Sequence, residues 1–406
     1  MNILVVGSEV PATASMPGSP RLFSLCRILA KRHRLTLVAL SHGSERAEAF
    51  RDDPMSAGVF EEVILLPEPP EPDWLGRQRH RLRFEANVVT RLRTPAYFAE
   101  QRRRIADLLE SGSFDVVFAD GLPIAQYLLD APLGVPAVID LHDCFTLLFS
   151  RTVRAEPSWL RKLSLYAESR SVARLERSLS RTFRRIITNS EVDEAFLREL
   201  DPRARTLTIG NGVDSEFFAP SDLAPNLSKL VFTGVMDYGP NEDAAVFFAE
   251  SVLPLIHRRR PDVEFWVVGK SPTERVRALG TKPGVHVTGS VPDVRPYLRD
   301  AGVFVCPLRY GSGVKNKLLA ALAMNRAVVA TSLSLEGLQL RDAEDLMVAD
   351  APDAMAAKVL QLIEEPGLAK RLGDAGQAFV RDRYSWETSA TLLESQLEQV
   401  VGESSP

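Results

Sequence analysis

The chain has 406 residues, of which 45% are apolar and 25% charged, with a formal net charge of −4. That length suits about two domains of ~150–200 residues each, and the composition is globular, with disorder expected only at residues 402–406. The charge excludes nucleic-acid binding driven by overall electrostatics, and three well-separated cysteines, Cys26, Cys144 and Cys306, argue against a disulfide framework or a zinc site and fit a reducing cytoplasm.

The apolar opening Met1-Asn2-Ile3-Leu4-Val5-Val6-Gly7 is too short for a signal-peptide core and predicts a first buried strand at residues 3–6. No run approaches the ~18 apolar residues that span a bilayer, so any membrane contact is expected from one side. After the first strand comes Pro17-Gly18-Ser19-Pro20-Arg21. Ser19 is read as a helix cap and Pro20 as the first helical residue, with Leu22, Leu25, Cys26 and Leu29 as the buried face. Gly18 either lets the backbone approach a phosphate at the helix N-terminus or serves only the turn.

Further strands are predicted at residues 35–40, 63–66, 116–119, 137–139 and 186–188. Residues 67–74, rich in proline, lead into an insertion. Asp140-Leu141-His142-Asp143 follows the 137–139 strand, placing His142 at a strand's carboxyl end as an acid/base group, a substrate contact or a structural hydrogen-bonder. Residues 151–185 carry ten Lys/Arg against three acids, with Leu160, Leu163, Tyr166, Leu175 and Leu179 at roughly helical spacing. Such a segment is either a solvated helix or one that rests on an anionic membrane. Turn residues then cluster around residues 200–228, the predicted domain boundary.

A second series of strands is predicted at residues 230–233, 264–268, 285–288, 303–306 and 327–330. Alternation with amphipathic helices predicts parallel sheets with right-handed crossovers, and the repeated series predicts an α/β chain of two doubly wound, Rossmann-like halves. Gly234, in Thr233-Gly234-Val235-Met236-Asp237-Tyr238, makes room for a nucleotide or for the turn alone, and Asn241 is expected to cap the next helix. The strongest turn is Pro307-Leu308-Arg309-Tyr310-Gly311-Ser312-Gly313-Val314-Lys315-Asn316-Lys317. Its glycines Gly311 and Gly313, with Ser312 between them, expose backbone N–H groups, while Arg309, Lys315 and Lys317 add positive charge near a helix N-terminus. Together they suit a diphosphate, although the spacing fits neither a Walker loop nor the dinucleotide fingerprint. No Asp-x-Asp or His/Cys cluster offers metal ligands, so no metal is expected. Finally Trp386, Ala390, Leu393, Leu397 and Val400 form one apolar helical stripe.

In their order these motifs resemble glycosyltransferase family 4 over nearly the full chain. The residues that carry the resemblance are Ile187-Thr188-Asn189-Ser190 with Asp193, Asn211-Gly212-Val213-Asp214, Phe232 to Tyr238 with Pro240-Asn241, Val287-Thr288-Gly289-Ser290-Val291, Pro292-Asp293-Val294-Arg295-Pro296-Tyr297-Leu298 and the 311–317 loop. The resemblance implies the GT-B fold: an acceptor domain at 1–205, a linker at 206–228, a nucleotide-sugar donor domain at 229–380 facing the first across a cleft, and a helix and tail at 381–406 crossing back to the first domain. It implies a transferase that moves a sugar from a UDP- or GDP-linked donor to a glycan or lipid-linked acceptor. It further implies retention of anomeric configuration, no catalytic metal, no cofactor beyond the donor, and a role in polysaccharide or cell-envelope synthesis. The enzyme is then expected in the cytoplasm, possible membrane contact being through 151–185. Gly18 would meet the donor phosphates, Arg309 and Lys315 would offset the leaving diphosphate's charge, and His142 would lie near the acceptor or transferred sugar. Gly234, Lys270, Lys317 and Glu336 join the donor-side set, with the role of Lys270 open.

The chain departs from the family at Leu319-Ala320-Ala321-Leu322-Ala323-Met324-Asn325. Ala320 stands where a ribose-binding glutamate is usual, Asn325 where glycine is usual, and Ala327 where proline is common. Loss of one charged hydrogen bond is worth ~1.5–3 kcal/mol. The acid usual seven positions before that glutamate is also missing, in a glycine-rich variant that some relatives share. Two other readings follow: a degenerate family member that binds without turnover, and another GT-B enzyme such as a nucleotide-sugar epimerase or a glycan phosphorylase.

Overall fold

The computed structural model describes residues 1–13, 20–40, 44–71, 93–221, 224–311 and 313–403. Gly18, Ser19, Ser312 and most of the expected insertion after residue 71 therefore lie outside the described residues. The chain divides into two compact units, Met1–Gly210 with Trp386–Pro406, and Asn211–Ser385.

In the first unit β1 (Asn2–Gly7), β2 (Arg34–Leu40), β3 (Glu62–Leu66), β4 (Val116–Asp120), β5 (Ala137–His142), β6 (Arg185–Thr188) and β7 (Thr206–Thr208) form a parallel sheet of order β3-β2-β1-β4-β5-β6-β7. Ile3 and Val5 enter one hydrophobic core while Leu4 and Val6 enter another. Alternate residues of β1 are thus buried on both faces, which is why the strand reads as a continuous apolar run.

The second unit repeats the arrangement. Its strands β8 (Asn226–Thr233), β9 (Glu264–Val268), β10 (Val285–Val287), β11 (Ala301–Cys306), β12 (Ala327–Ala330) and β13 (Met347–Val348) pair in parallel in the order β10-β9-β8-β11-β12-β13. Each sheet reverses its winding once, between β1 and β4 in the first and between β8 and β11 in the second. The carboxyl ends beside such a reversal are where open α/β sheets bind ligands.

Every predicted strand is present. The two that the sequence does not announce, β7 and β13, have three and two residues, too few for a period to register. Helix Trp386–Gly402 returns to the first unit as the resemblance implies. Trp386, Ala390, Leu393, Leu397 and Val400 are fully or almost fully buried in the core that holds Leu22, Leu25 and Cys26. Glu394 on this helix binds Arg32 and lies 2.6 Å from His33 Nε2.

Candidate functional site

At the carboxyl end of β5 the backbone leaves regular geometry: the register with β6 shifts between Asp140 and His142, and His142 has φ +64°. A non-glycine residue held there is strained, and such strain gathers where a side chain must be aimed. The His142 N–H donates to Asp140 Oδ1 at 3.1 Å, and Nε2 lies 2.6 Å from Asp120 Oδ1 at the end of β4. Asp140 in turn accepts from Arg21 Nε at 2.7 Å, with both side chains about 1% exposed. The same guanidinium donates to the carbonyls of Ile209 (2.8 Å) and Gly210 (3.1 Å), tying the first helix, β5 and the end of β7 together. That helix spans Arg21–Leu29, so Pro20 precedes it instead of forming its first residue. Ligand-type atoms of Asp120, Asp140 and His142 come within 4.8 Å of one another, but the charge of Asp140 is met by Arg21 and that of Asp120 by His142.

Burial opposes the charged form of His142. The charges of Asp120 and Asp140 and the bond to Asp120 outweigh burial and the opposing charge of Arg21, raising its pKa to about 9. Near neutral pH it is an imidazolium, a hydrogen-bond donor and not a base. The 187–193 motif holds this segment. Asn189 N–H donates to the His142 carbonyl at 2.8 Å, its amide to Asp143 at 2.9 Å, and Asp193 Oδ1 accepts from Cys144 N–H at 2.9 Å. Sequence reasoning did not single out Asp120, Arg21 or Glu176. Glu176, fully buried, accepts the N–H groups of Phe145 (2.7 Å) and Thr146 (3.2 Å) at the N-terminus of helix Phe145–Ala155. Burial pushes its carboxyl up to about 7, against the bonds from Thr146, Cys144 and Phe145.

In the second unit Gly234 follows β8. A Cβ there would meet Asn241 Nδ2 at 2.7 Å and Lys317 Nζ at 2.9 Å, so the glycine makes room for two side chains. Gly269, φ +149°, admits the Gly234 carbonyl even more closely. Lys270 enters through its backbone, its carbonyl accepting from Met236 N–H at 2.9 Å. Asn241 is not a helix cap: helix Gly239–Phe247 starts two residues earlier, because Pro240 suits its first turn. The Asn241 side chain instead donates to the Val235 carbonyl at 2.9 Å and accepts from Lys317.

The 307–317 loop turns as its glycines predict, with φ +132° at Gly311 and +71° at Gly313. Lys315 is buried at the cap of helix Asn316–Ala323, and its ammonium binds the Gly313 carbonyl. Arg309, expected to offset the diphosphate's charge, is itself paired within the second unit. Half-exposed, it makes a two-pronged ion pair with Asp243 (Nε to Oδ2, 2.8 Å) and lies over the Phe247 ring. Lys317 is half-buried. Its Nζ stands 4.4 Å over the Phe232 ring, and burial, reinforced by Lys315 and opposed by Cys306, lowers its pKa to about 8. Among the described residues no carboxylate reaches it. Partly buried, an ammonium without a counter-charge carries a desolvation cost.

Ala320 is buried three positions after Lys317 and four after Asn316, on their side of the helix. Asn325 has a local explanation. With φ +59° it closes the helix in a Schellman motif (Asn325 N–H to Leu322, 2.9 Å; Arg326 N–H to Ala321, 3.0 Å), a place asparagine tolerates after glycine. Glu336 follows the 3-10 helix Ser332–Leu335 beyond β12, half-buried. A cavity of about 630 Å³ adjoins the Val287-Thr288-Gly289 motif, lined also by Trp266, Arg277 and His286.

Two family descriptions match this chain: "Glycosyltransferase Family 4" over residues 21–217 and "Glycosyl transferases group 1" over residues 228–365. A phosphatidyl-myo-inositol mannosyltransferase of Mycobacterium tuberculosis is 33% identical over 208 residues, 48% of this chain and 54% of the relative. The chain thus spans about half the length of the curated relatives it matches first. Sucrose-phosphate synthase from Thermosynechococcus elongatus superposes with a TM-score of 0.74 at 15% identity, covering 100% of both chains. Anabaena HepE, solved with UDP-glucose, does so with 0.68 at 13% identity, covering 98% of this chain and 100% of its own. These likenesses show the GT-B fold, and with both family descriptions matched in order along it, the chain belongs to glycosyltransferase family 4.

Proposed function

We propose that this protein transfers a sugar from a UDP- or GDP-linked donor to a glycan or lipid-linked acceptor, with retention of configuration, in polysaccharide or cell-envelope synthesis. The observation that carries the reading is Lys317, a half-buried ammonium with no carboxylate partner among the described residues, at the switch point of the second sheet. It lies beside Gly234 and Asn241, on the helix that follows the loop of Gly311 and Gly313. A nucleoside diphosphate supplies the missing negative charge. As the sugar departs, charge builds on the diphosphate oxygens, and a preorganised ammonium stabilises that state more than the ground state. Lys315 at the helix N-terminus adds to the same field. In the first unit the His142 imidazolium, fixed by Asp120, donates to an acceptor or sugar oxygen.

Further support comes from the relatives: the Mycobacterium tuberculosis protein is named for mannosyl transfer to a phosphatidylinositol, HepE binds UDP-glucose, and a Klebsiella pneumoniae match is encoded in a cps region. The degenerate reading rests on Ala320. Calorimetric titration with UDP, GDP and their sugar conjugates, paired with mass spectrometry of products, tests both. Binding that needs Lys317, with sugar consumed, is the result expected. Binding without turnover across acceptor classes favours the degenerate reading, and no binding by folded protein overturns the donor site.

A further inference from the structure

Helix Trp159–Glu176 carries a line of exposed side chains that continues one residue past its end: Trp159, Leu163, Tyr166, Arg170, Arg174 and Arg177, at spacings of four and three. The first half of the line is apolar and the second cationic. Trp159, Leu163 and Tyr166 are 69%, 60% and 56% exposed, and neighbouring Leu160 is 63% exposed. The opposite side of the helix is anchored: Ser171, Val172 and Glu176 are buried, with Glu176 held by the helix before it. Single exposed apolar residues are ordinary, but four large ones within eight residues form a patch.

Charge tells what the patch meets. Arg170 and Arg174 have no carboxylate partner among the described residues. Of the two acids on the helix, Glu176 is buried beneath it and Glu168 lies off the line, bonded by Ser164 Oγ at 3.2 Å. Trp and Tyr rings settle at the level of lipid head groups, and guanidinium groups pair with lipid phosphate. A helix divided lengthwise in this way enters a bilayer surface obliquely, its Trp159 end deeper than its Arg174 end. We propose that this helix docks the protein on an anionic lipid surface. It belongs to the crossover that leaves β5 at His142, so docking places that crossover beside lipid-borne molecules. The docking itself does not rest on the sugar-transfer reading.

The test uses the full chain without any nucleotide sugar, so its outcome is separate from that of the transferase assay. Sedimentation with vesicles of phosphatidylcholine plus phosphatidylglycerol is compared with phosphatidylcholine alone. The expected result is binding to the anionic vesicles only, weakened by salt. Arg170→Glu/Arg174→Glu should bind at least about tenfold more weakly. Trp159→Ala/Leu163→Ala/Tyr166→Ala should lose binding even at low salt. These side chains are exposed, so the variants should keep the wild-type circular dichroism. As a milder probe, Trp159→Phe should abolish the blue shift of tryptophan fluorescence that vesicles cause. Three results overturn the proposal: no binding by the folded wild type at low salt, equal binding by all variants, or a dimer that the apolar variants dissolve in place of any vesicle binding.

Discussion

The Lys317 ammonium meets the side-chain carbonyl of Asn241, a residue 76 positions earlier, and Gly234 leaves the space in which the two meet. This neutral partner orients the ammonium without cancelling its charge. Lys317→Ala is expected to weaken nucleoside diphosphate binding about ten- to a hundredfold, the worth of one charged hydrogen bond. Since the free ammonium titrates near pH 8, affinity should be level below that value and fall above it. Lys317→Arg should remove the fall. Calorimetry between about pH 6.5 and 9.5 checks both, and a flat wild-type profile contradicts them.

Arg309 is already paired with Asp243, so Arg309→Ala should cost less affinity than Lys317→Ala. Asp243→Asn removes a carboxylate and releases the guanidinium, and binding should tighten a few-fold. Looser binding by Asp243→Asn would instead give Asp243 a direct part in holding the donor. Titration of the three variants against one nucleotide decides it.

The raised pKa of His142 has a defined sign. The stability its charge provides is complete below the ordinary value near 6.5 and is lost as pH rises through about 9. Asp120→Asn should bring the imidazole back toward the ordinary value and flatten that loss, which amounts to about 3 kcal/mol at most. Ring-resolved NMR titration and melting at several pH values read the two effects.

Ala320→Glu restores an acid on the helix face of Lys317. If the nucleotide ribose lies there, binding should tighten about tenfold or more. Unchanged or weaker binding at an unchanged melting temperature would place the ribose elsewhere.

Glu176→Ala strands the Phe145 and Thr146 N–H groups and should destabilise the protein by roughly 2–4 kcal/mol in denaturant unfolding. With a folded-state pKa near 7, above its unfolded value, Glu176 makes stability fall as pH rises from about 4.5 through 7. Glu176→Gln should lose that slope.

Much of the fold was legible because buried parallel strands are continuous apolar runs, as at Ile3 to Val6 and Val303 to Cys306. The turn at Gly311 and Gly313 was legible because few other residues adopt those angles. Asn241 was misread for a physical reason: an asparagine before acids has the same local signature whether it caps a helix or sits within its first turn. The partners of His142 and Arg309 were not legible, since Asp120 is 22 and Asp243 is 66 residues away. No local pattern records such a pairing.

The sequence alone determined the two doubly wound halves, the apolar stripe of the C-terminal helix and the family, because period, turn chemistry and motif order are local properties; that this helix returns to the first unit came only with the family resemblance. Only the tertiary structure decided which charges are spent and which remain. Arg309 and Arg21 are spent on Asp243 and Asp140, His142 is charged by Asp120, and half-buried Lys317 meets no carboxylate among the described residues. An ionisable group's behaviour depends on its distance to other charges and to water, and only folding sets those distances.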